Sequence, residues 1–409
     1  MPTTRGTGRR VPAAPARTTA TLSCPSSRVT QDERHVTLEQ VADAYYDCRR
    51  HKRSKRSAVE YEMNYELENV RLCDELNAMT YRPGTSIVFC VTRPKLREVF
   101  AASFRDRIVH HLFIGRILPT LEARLSDCAC SCRKDKGTLY GARRVCRAMR
   151  EHPDGWYVKF DIEGFFMSID KQRLMPLVES LVREAVTEGV EWWLWLARTI
   201  VMHRPELDCE RRGDLSLFDR LPANKTLFKT GGRGVPIGNL PSQILTLLFL
   251  ADFCRMVTER LGDEQLLTMY ADDGIAIADD KRRLLRLLNK MRTWLREERG
   301  LMMHPRKVVI QRVRHGVMFT GYRIGPSGIR PGRRVAHNAA QVVAAWSSKQ
   351  RHTADERSQL RSQMNSYLGL LRHTMSYRLR RRLWRMLGDY DGLSCVNMKR
   401  IIITNNIKS

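Results

Sequence analysis

Several features that would place the chain in other protein classes are missing from its 409 residues. No uninterrupted run of 18 apolar residues occurs, so the sequence predicts no membrane-spanning helix. The eleven cysteines are odd in number and scattered, which favours free thiols in a reducing compartment over a disulfide framework. Acidic residues are scarce, 44 against 71 basic ones, and the net charge of +27 predicts a polyanionic partner, either nucleic acid or an anionic membrane surface. Nucleic acid is the more economical of the two, and we expect a soluble protein.

A zinc site is also not expected. Cys128, Cys130 and Cys132 alternate along the chain and would share one face of a strand, but a fourth ligand is missing. We interpret them as small side chains in an extended segment.

Hydrophobic residues make up 43% of the chain, which is enough for two or three subdomains with their own cores. Residues 1–31 differ, with five arginines and no acid. This stretch cannot bury enough apolar surface to fold alone, and we expect it to be disordered. Its composition resembles a transit peptide, and an RNA-tethering arm or a misassigned start would have the same composition.

Two adjacent carboxylates, Asp272 and Asp273, lie between an aromatic residue and an apolar β-branched run in residues 268–278. The pattern predicts a β-hairpin with acid at its turn, where successive side chains point to opposite faces. Like charges side by side repel each other unless a cation lies between them. Oxygen ligands of this kind suit Mg²⁺, with Mn²⁺ as a substitute.

A third carboxylate, Asp161, ends a β-rich run farther upstream and is followed by two phenylalanines. An Asp at a strand end beside an Asp-Asp hairpin is what a two-metal phosphoryl-transfer site requires, with two ions about 4 Å apart on the attacking and leaving oxygens. We expect Asp161, Asp272 and Asp273, with the main chain of Ile162, to hold two Mg²⁺ ions.

Apolar spacing and capping residues predict the other elements. A helix from Val36 to about His51 has Thr37 as its N-cap, and one second helix is expected over 57–80. Two short strands around a basic turn are expected in 86–100, and Ser103 caps the helix that follows. The remaining predictions are helices at 139–149, 171–186, 192–202, 244–256, 281–301, 357–373 and 376–384, a strand at 308–313, and a polar loop at 203–232.

The Tyr270-Ala-Asp-Asp273 turn, taken with the Asp161 segment, resembles the palm of reverse transcriptases. Most of these enzymes have Gln-Gly and Ser-Pro where this chain has Ile237-Gly238 and Ser242-Gln243. That departure resembles the reverse transcriptases of diversity-generating retroelements. The segments 81–84, 104–107, 132–138, 221–228 and 366–369 also resemble this group, whereas Ala271 and the Leu240-Pro-Ser sequence depart from it.

The resemblance implies an α+β, right-hand polymerase with fingers, a palm of antiparallel sheet plus helices, and a helical thumb. We expect a basic tail at 1–35, fingers at 36–150, a palm with some fingers elements at 151–325, a thumb at 326–395 and a C-terminal tail at 396–409. Only 85 residues follow Ile324, too few for a thumb plus an intron-type DNA-binding and endonuclease module.

The resemblance also assigns roles. Lys307 resembles the palm lysine that protonates the departing pyrophosphate, with a plain phosphate contact as the alternative. Phe166 resembles the aromatic residue that excludes a ribose 2′-hydroxyl. The other expected dNTP-binding residues are Arg93, Lys95, Arg97, Ile237, Gly238 and Gln243. Residues 317–324 resemble the hairpin that grips the primer end. The expected primer and template contacts are Phe319, Gly321, Tyr322, Arg323, Arg105 and Arg107.

The implied function is copying of a template RNA into cDNA, with errors at template adenines that diversify a target gene. The implied partners are template RNA, the RNA/DNA hybrid, dNTPs, the retroelement RNA and a small basic accessory protein, which could be oligomeric. The implied location is the cytoplasm of a bacterium or archaeon, or of a phage host. The alternatives are a stand-alone reverse transcriptase of phage-defence or retron type and, from another class, an RNA-binding scaffold with an inactive palm.

Overall fold

The fold is taken from a computed structural model that describes residues 35–50, 53–93, 95–349, 351–388 and 393–403. From Val36 onward these residues belong to one compact unit, and the expected basic tail lies outside them except for its last residue. The helices are α1 (Leu38–Arg49), α2 (Arg56–Glu62), α3 (Tyr65–Asn77), α4 (Phe104–Arg124), α5 (Thr138–Glu151), α6 (Phe165–Ser168), α7 (Lys171–Ala185), α8 (Val190–Val201), α9 (Ser216–Asp219), α10 (Leu240–Leu261), α11 (Lys281–Arg299), α12 (Arg333–Ser347), α13 (Ala354–Leu371) and α14 (Tyr377–Leu387). The strands are β1 (Ser86–Val91), β2 (Arg97–Ala101), β3 (Trp156–Asp161), β4 (Cys209–Arg212), β5 (Leu267–Tyr270), β6 (Asp273–Ala278), β7 (Val309–Arg312), β8 (Val317–Phe319), β9 (Tyr322–Gly325), β10 (Gly328–Pro331), β11 (Leu393–Val396) and β12 (Arg400–Ile403).

The central sheet is antiparallel, with strand order β5-β6-β3-β7. Helices α10 and α11 pack against it, as does α5. Strands β3 and β6 are mostly apolar because the helices cover them, and Val158, Phe160 and Ile275 are almost fully buried. Each such side chain contributes roughly 1.5–3 kcal/mol of transfer free energy. This core fixes the strand ends that carry the acidic residues.

A second sheet, with order β2-β1-β4, lies on the fingers side. Strands β1 and β2 form the expected antiparallel pair. Strand β4 comes from the region expected to be a polar loop, and it pairs in parallel with β1. Its sequence, Cys-Glu-Arg-Arg, is largely exposed and has no apolar alternation, so it gave no local strand signal.

The thumb has its own core, in which α12, α13 and α14 enclose Val343, Met364 and Leu383. The hairpin β11–β12 packs on this core through Ile401, whose main chain exchanges two hydrogen bonds with the Asn365 side chain, at 2.6 and 2.8 Å. Residues 396–403 of the expected tail therefore form part of a hairpin that packs on the α12–α14 core. Residues 404–409 lie outside the described residues.

Two further expectations about helices need correction. The helix expected over 57–80 is two helices, α2 and α3, which meet at Asn64. The chain also adds helix α12, for which only the basic, helical character of the region after Arg330 gave a signal. The predicted caps Thr37 and Ser103 are confirmed by side-chain hydrogen bonds to the first turns of α1 and α4.

Helix α10 is long and apolar enough, by length and composition alone, to cross a membrane. The helix is apolar on average, but isolated polar residues interrupt it, so it contains no uninterrupted apolar run of 18 residues. Within the protein, 67% of its most apolar 18-residue window is buried, as in the central helix of a folded core.

Candidate active site

Strand β3 and the hairpin β5–β6 bring the three predicted carboxylates together. Asp161 lies opposite Asp273 in the β3–β6 pairing, and the Ile162 N–H donates to the Asp272 carbonyl at 3.0 Å. The hairpin turn is tight, since Ala271 has a φ of +53°. The predicted strand and the predicted hairpin are both present, and they place the aspartates at one end of the central sheet.

The charges of this cluster act on each other. Burial raises the pKa of the Asp272 carboxyl to about 6, with the Asp161 carboxylate as the next largest cause. Burial also raises the pKa of Asp273, although Lys159 acts in the opposite direction. Shifts of this sign arise where carboxylates are partly dehydrated and close together. Nearby positive charge therefore favours the ionised form of Asp272 and Asp273.

Two lysines supply part of that charge. Lys307 Nζ lies 2.6 Å from Asp161 Oδ2, so the structure places this predicted residue directly beside the cluster. Lys159 Nζ lies 4.0 Å from Asp273 Oδ1 and donates to the Met318 carbonyl at 3.0 Å. Lys159 is not among the predicted site residues. Its position two residues before Asp161, on the same face of the strand, was the available signal.

The chemistry of the cluster fits a divalent cation, because its donors are all oxygens and they repel one another without one. As the side chains stand, however, no three His, Cys, Asp or Glu residues in the described part of the chain are grouped so that they could hold a metal ion. Asp161 is instead paired with Lys307. The assignment of two Mg²⁺ ions to Asp161, Ile162, Asp272 and Asp273 stays a prediction.

The basic turn between β1 and β2 carries three predicted triphosphate ligands. Lys95 lies close enough to the cluster for its charge to lower the pKa of Asp273, as the smallest of the causes acting there. Arg93 lines an open cleft of 860 Å³ together with residues of α12 and α13. Arg97 is exposed at the start of β2. Lys95 therefore faces the carboxylates, whereas Arg93 faces the thumb.

The free edge of β2 holds the loop that precedes α10. The Phe100 N–H donates to the Ile237 carbonyl at 2.8 Å, and the Ala102 N–H donates to Asn239 Oδ1 at 3.4 Å. Gly238 has a φ of +117°, and an added Cβ would overlap the Phe100 carbonyl oxygen. The close approach that requires this glycine is therefore to a fingers strand, and its predicted role in dNTP binding stays a prediction.

A buried acid on β2 holds a second loop. Glu98 is fully buried and accepts hydrogen bonds from Thr226 Oγ1 at 2.6 Å and from the Leu227 N–H at 2.9 Å. Burial raises its pKa. In the same loop, Asn224 Nδ2 donates to Glu163 Oε1 at 3.2 Å, just after the end of β3. The 221–228 loop thus connects the fingers sheet to the residues that follow Asp161.

Phe166 and Gln243 lie on the helices next to the cluster. Phe166 is half-buried on α6, with its ring edge-on to Phe165 at 5.6 Å, and its carbonyl accepts from the Val235 N–H at 2.8 Å. Gln243 lies in the first turn of α10, and its Oε1 is 3.8 Å from Cys132 Sγ. Their roles toward a nucleotide stay predictions.

The side chains that the hairpin β8–β9 exposes are not all the predicted ones. Phe319 and Tyr322 are buried in the main core, so their side chains do not line a surface for the primer. Because side chains alternate along a strand, Met318 and Arg323 point outward instead. Gly321 lies at the turn between the strands with a φ of +90°.

Arg105 and Arg107 do not line an open path either. Arg105 forms an ion pair with Glu75 and lies over the Tyr81 ring, 5.0 Å from its centroid. Arg107 Nε donates to the Ala102 carbonyl at 2.8 Å. Both side chains are half-buried in contacts within the fingers, and their roles as template contacts stay predictions.

In the part of the chain that the structure describes, Cys128 and Cys130 are buried, whereas Cys132 is exposed. As for metal binding, none of them belongs to a described group that could hold an ion.

Comparison with known proteins identifies the family. Residues 92–324, more than half of the chain, match the reverse transcriptase (RNA-dependent DNA polymerase) family. A comparison with curated proteins finds no match.

Among solved structures, the chain is similar to apo telomerase from Candida tropicalis at a TM-score of 0.46 and 10% identity, over 75% of this chain and 56% of that one. It is also similar to telomerase from Candida albicans in complex with a fragment of telomeric RNA, at a TM-score of 0.43 and 11% identity, over 75% and 55% of the two chains. The chain thus spans about half the length of the telomerases that it matches. By the extent of its family match, this α+β chain belongs to the reverse transcriptase (RNA-dependent DNA polymerase) family.

Proposed function

We propose that this reverse transcriptase belongs to a diversity-generating retroelement and copies its template RNA into cDNA with errors at template adenines. The observation that carries the proposal is the loop before α10. Ile237 presents an aliphatic side chain where most reverse transcriptases have a glutamine, and its main chain is fixed to β2 through Phe100. A side chain without hydrogen-bonding groups removes discrimination that polar contacts to a nascent base pair would supply.

In this proposal Asp161, Asp272 and Asp273, with the main chain of Ile162, hold the divalent ions. When bound, such ions stabilise the attacking and leaving oxygens of an in-line displacement at phosphorus. The primer 3′-hydroxyl attacks the α-phosphate of the dNTP, and pyrophosphate leaves. The fingers turn, with Arg93, Lys95 and Arg97, would meet the charge of the triphosphate.

In this proposal Lys307 donates the proton that the departing pyrophosphate takes up. Its ammonium already lies beside the carboxylate cluster, 2.6 Å from Asp161 Oδ2. From this position Lys307 would donate a proton to the leaving pyrophosphate. A phosphate contact without proton transfer is the alternative role.

Phe166 and Gln243 are assigned to the nucleotide, with Phe166 excluding a ribose 2′-hydroxyl. The proposed partners are the template RNA and its hybrid with cDNA, the retroelement RNA and a small basic accessory protein. The proposed location is the cytoplasm.

The test is to sequence cDNA made on a defined RNA by the wild type, by Ile237→Gln and by Leu240→Gln. The second variant adds the same amide at a half-buried position three residues away. We expect frequent errors at template adenines in the wild type, and at least a tenfold lower adenine error rate in Ile237→Gln alone. Rates that are equal at all four template bases in the wild type would contradict the retroelement assignment and leave a stand-alone reverse transcriptase of another kind.

A further inference from the structure

The segment that contains the alternating cysteines, residues 128–131, lies along the outer edge of β5, and we call it the edge segment. The Met269 N–H donates to the Cys128 carbonyl at 2.8 Å, and the Cys130 N–H donates to the Met269 carbonyl at 2.9 Å. The segment is parallel to β5, with a bridge between Ala129 and Met269. It therefore continues the central sheet beyond β5, next to the turn that carries the carboxylates.

The edge segment is itself held firmly. Arg133 Nη1 donates to the Ser126 carbonyl at 2.7 Å and to the Ala129 carbonyl at 3.2 Å. The Arg133 side chain is only 5% exposed, and it forms an ion pair with Glu122 at 2.6 Å. The main chain of the segment is thus fixed by contacts on both of its sides, to β5 and to Arg133.

The Ser131 side chain reaches the carboxylate turn. Its hydroxyl accepts a hydrogen bond from the Ala271 N–H at 3.1 Å, and Ser131 is 4% exposed. Ala271 directly precedes Asp272 and has a φ of +53°, a conformation that residues with a Cβ rarely adopt. Such a conformation persists only where the surrounding contacts determine it. Ser131 provides one of these contacts.

The other side of the turn is held by β3. The Ile162 N–H donates to the Asp272 carbonyl at 3.0 Å. The peptide before Ala271 and the peptide after Asp272 are therefore both fixed, one by the edge segment and the other by β3. Because these two peptides set the direction of the chain through the turn, they also set where the side chains of Asp272 and Asp273 lie relative to Asp161.

We propose that Ser131 is a positioning residue for the reaction, because its hydroxyl holds the Ala271 peptide and thereby keeps Asp272 and Asp273 in place beside Asp161. Removal of an outer contact that orients metal ligands typically lowers metal affinity or activity by about 10- to 100-fold. The inference rests on the proposed assignment of the divalent ions to these carboxylates, and not on the retroelement assignment.

Two substitutions of nearly equal shape separate the hydroxyl from the packing of this residue. Ser131→Thr keeps the hydroxyl, whereas Ser131→Val has a methyl group in its place, so any cost of the added branch is common to both. Ser131→Ala removes the hydroxyl without adding an atom. The control is Ser376→Ala, since Ser376 is also 4% exposed and donates to the Leu371 carbonyl at 2.6 Å in the thumb.

The first measurement is hydrogen–deuterium exchange, followed by mass spectrometry of peptides that contain Ala271, without metal or nucleotide. Urea titration of each variant first defines conditions in which it is folded. We expect the Ala271 amide to exchange about tenfold faster, or more, in Ser131→Ala and Ser131→Val, because it has lost its acceptor. Ser131→Thr and the Ser376 control should stay within about threefold of the wild type.

The second measurement is single-turnover addition of one nucleotide to a DNA primer on an RNA template, over a series of Mg²⁺ concentrations. We expect Ser131→Ala and Ser131→Val to need about tenfold more Mg²⁺ for the half-maximal rate, and Ser131→Thr and the control to match the wild type. A serine needed only for folding would change the amount of active protein and leave the Mg²⁺ requirement unchanged.

Faster exchange and a higher Mg²⁺ requirement in Ser131→Val but not in Ser131→Thr would support the proposal. Equal behaviour of these two variants in either measurement would overturn it. If the wild type adds no nucleotide at any Mg²⁺ concentration, the polymerase assignment fails, and the exchange rates alone then decide whether Ser131 holds the turn.

Discussion

Replacing Gly238 with alanine should destabilise the protein by about 3 kcal/mol and weaken dNTP binding. A φ of +117° is unfavourable for alanine, which costs roughly 1–2 kcal/mol. The new Cβ would also overlap the Phe100 carbonyl and lie 2.9 Å from Val99 Cγ1. Relief requires the loop to move away from β2, which breaks the 2.8 Å hydrogen bond from Phe100 to Ile237, worth about 1 kcal/mol.

Gly231→Ala is the matched control, because Gly231 has a φ of +65° in the same loop region and an added Cβ would meet nothing within 4 Å. It should cost only the backbone strain, about 1 kcal/mol. Urea titration of both variants gives the stability difference, and steady-state kinetics gives KM for the dNTP. We expect a raised KM in Gly238→Ala alone. Equal destabilisation by the two substitutions would refute the argument that β2 fixes this loop.

Three further predictions concern charged residues. In metal-free buffer at pH 7.5, Asp272→Asn should stabilise the protein by at most about 3 kcal/mol, because the raised pKa of the Asp272 carboxyl penalises the folded state above pH 6. This gain, measured by urea titration, should vanish below pH 4, and a gain that persists there would contradict the reasoning. Glu98→Ala should lower the free energy of unfolding by about 3 kcal/mol, because it leaves the Thr226 hydroxyl and the Leu227 N–H unpaired. Removal of the exposed Glu210 should lower it by less than about 0.5 kcal/mol in the same urea titration. Lys307→Gln and Lys307→Arg should both slow single-turnover nucleotide addition by about 100-fold or more if this lysine donates a proton, while rescue by arginine would identify a phosphate contact instead.

Local signals in the sequence predicted much of the fold. The capping side chains of Thr37 and Ser103 and the β-rich or apolar runs of β3 and β6 depend on neighbours within a few residues, and the structure has them where expected. The meeting of Asp161 with the β5–β6 turn was also expected. That expectation came from the combination of acid types and the family resemblance, because local periodicity says nothing about which strands pair.

The features that the sequence did not predict depend on contacts between segments distant in sequence. Strand β4 is a strand only because β1 offers a free edge, so its exposed Glu-Arg-Arg sequence gave no warning. Phe319 and Tyr322 match a surface motif in sequence, yet the register of their hairpin turns them into the core. The reason for Gly238 is likewise a strand distant in sequence.

Primer extension by Asp272→Asn beside the wild type tests the central claim most directly. The substitution keeps the shape of the side chain and removes the charge whose burial, and then repulsion by Asp161, raises its pKa, so the variant should be at least as stable as the wild type. With Mg²⁺, an RNA template and a DNA primer, we predict extension by the wild type and at least a 1000-fold slower rate for this stable variant, equivalent to about 4 kcal/mol of transition-state stabilisation. Extension at an equal rate by both proteins would contradict the claim that these carboxylates catalyse the reaction.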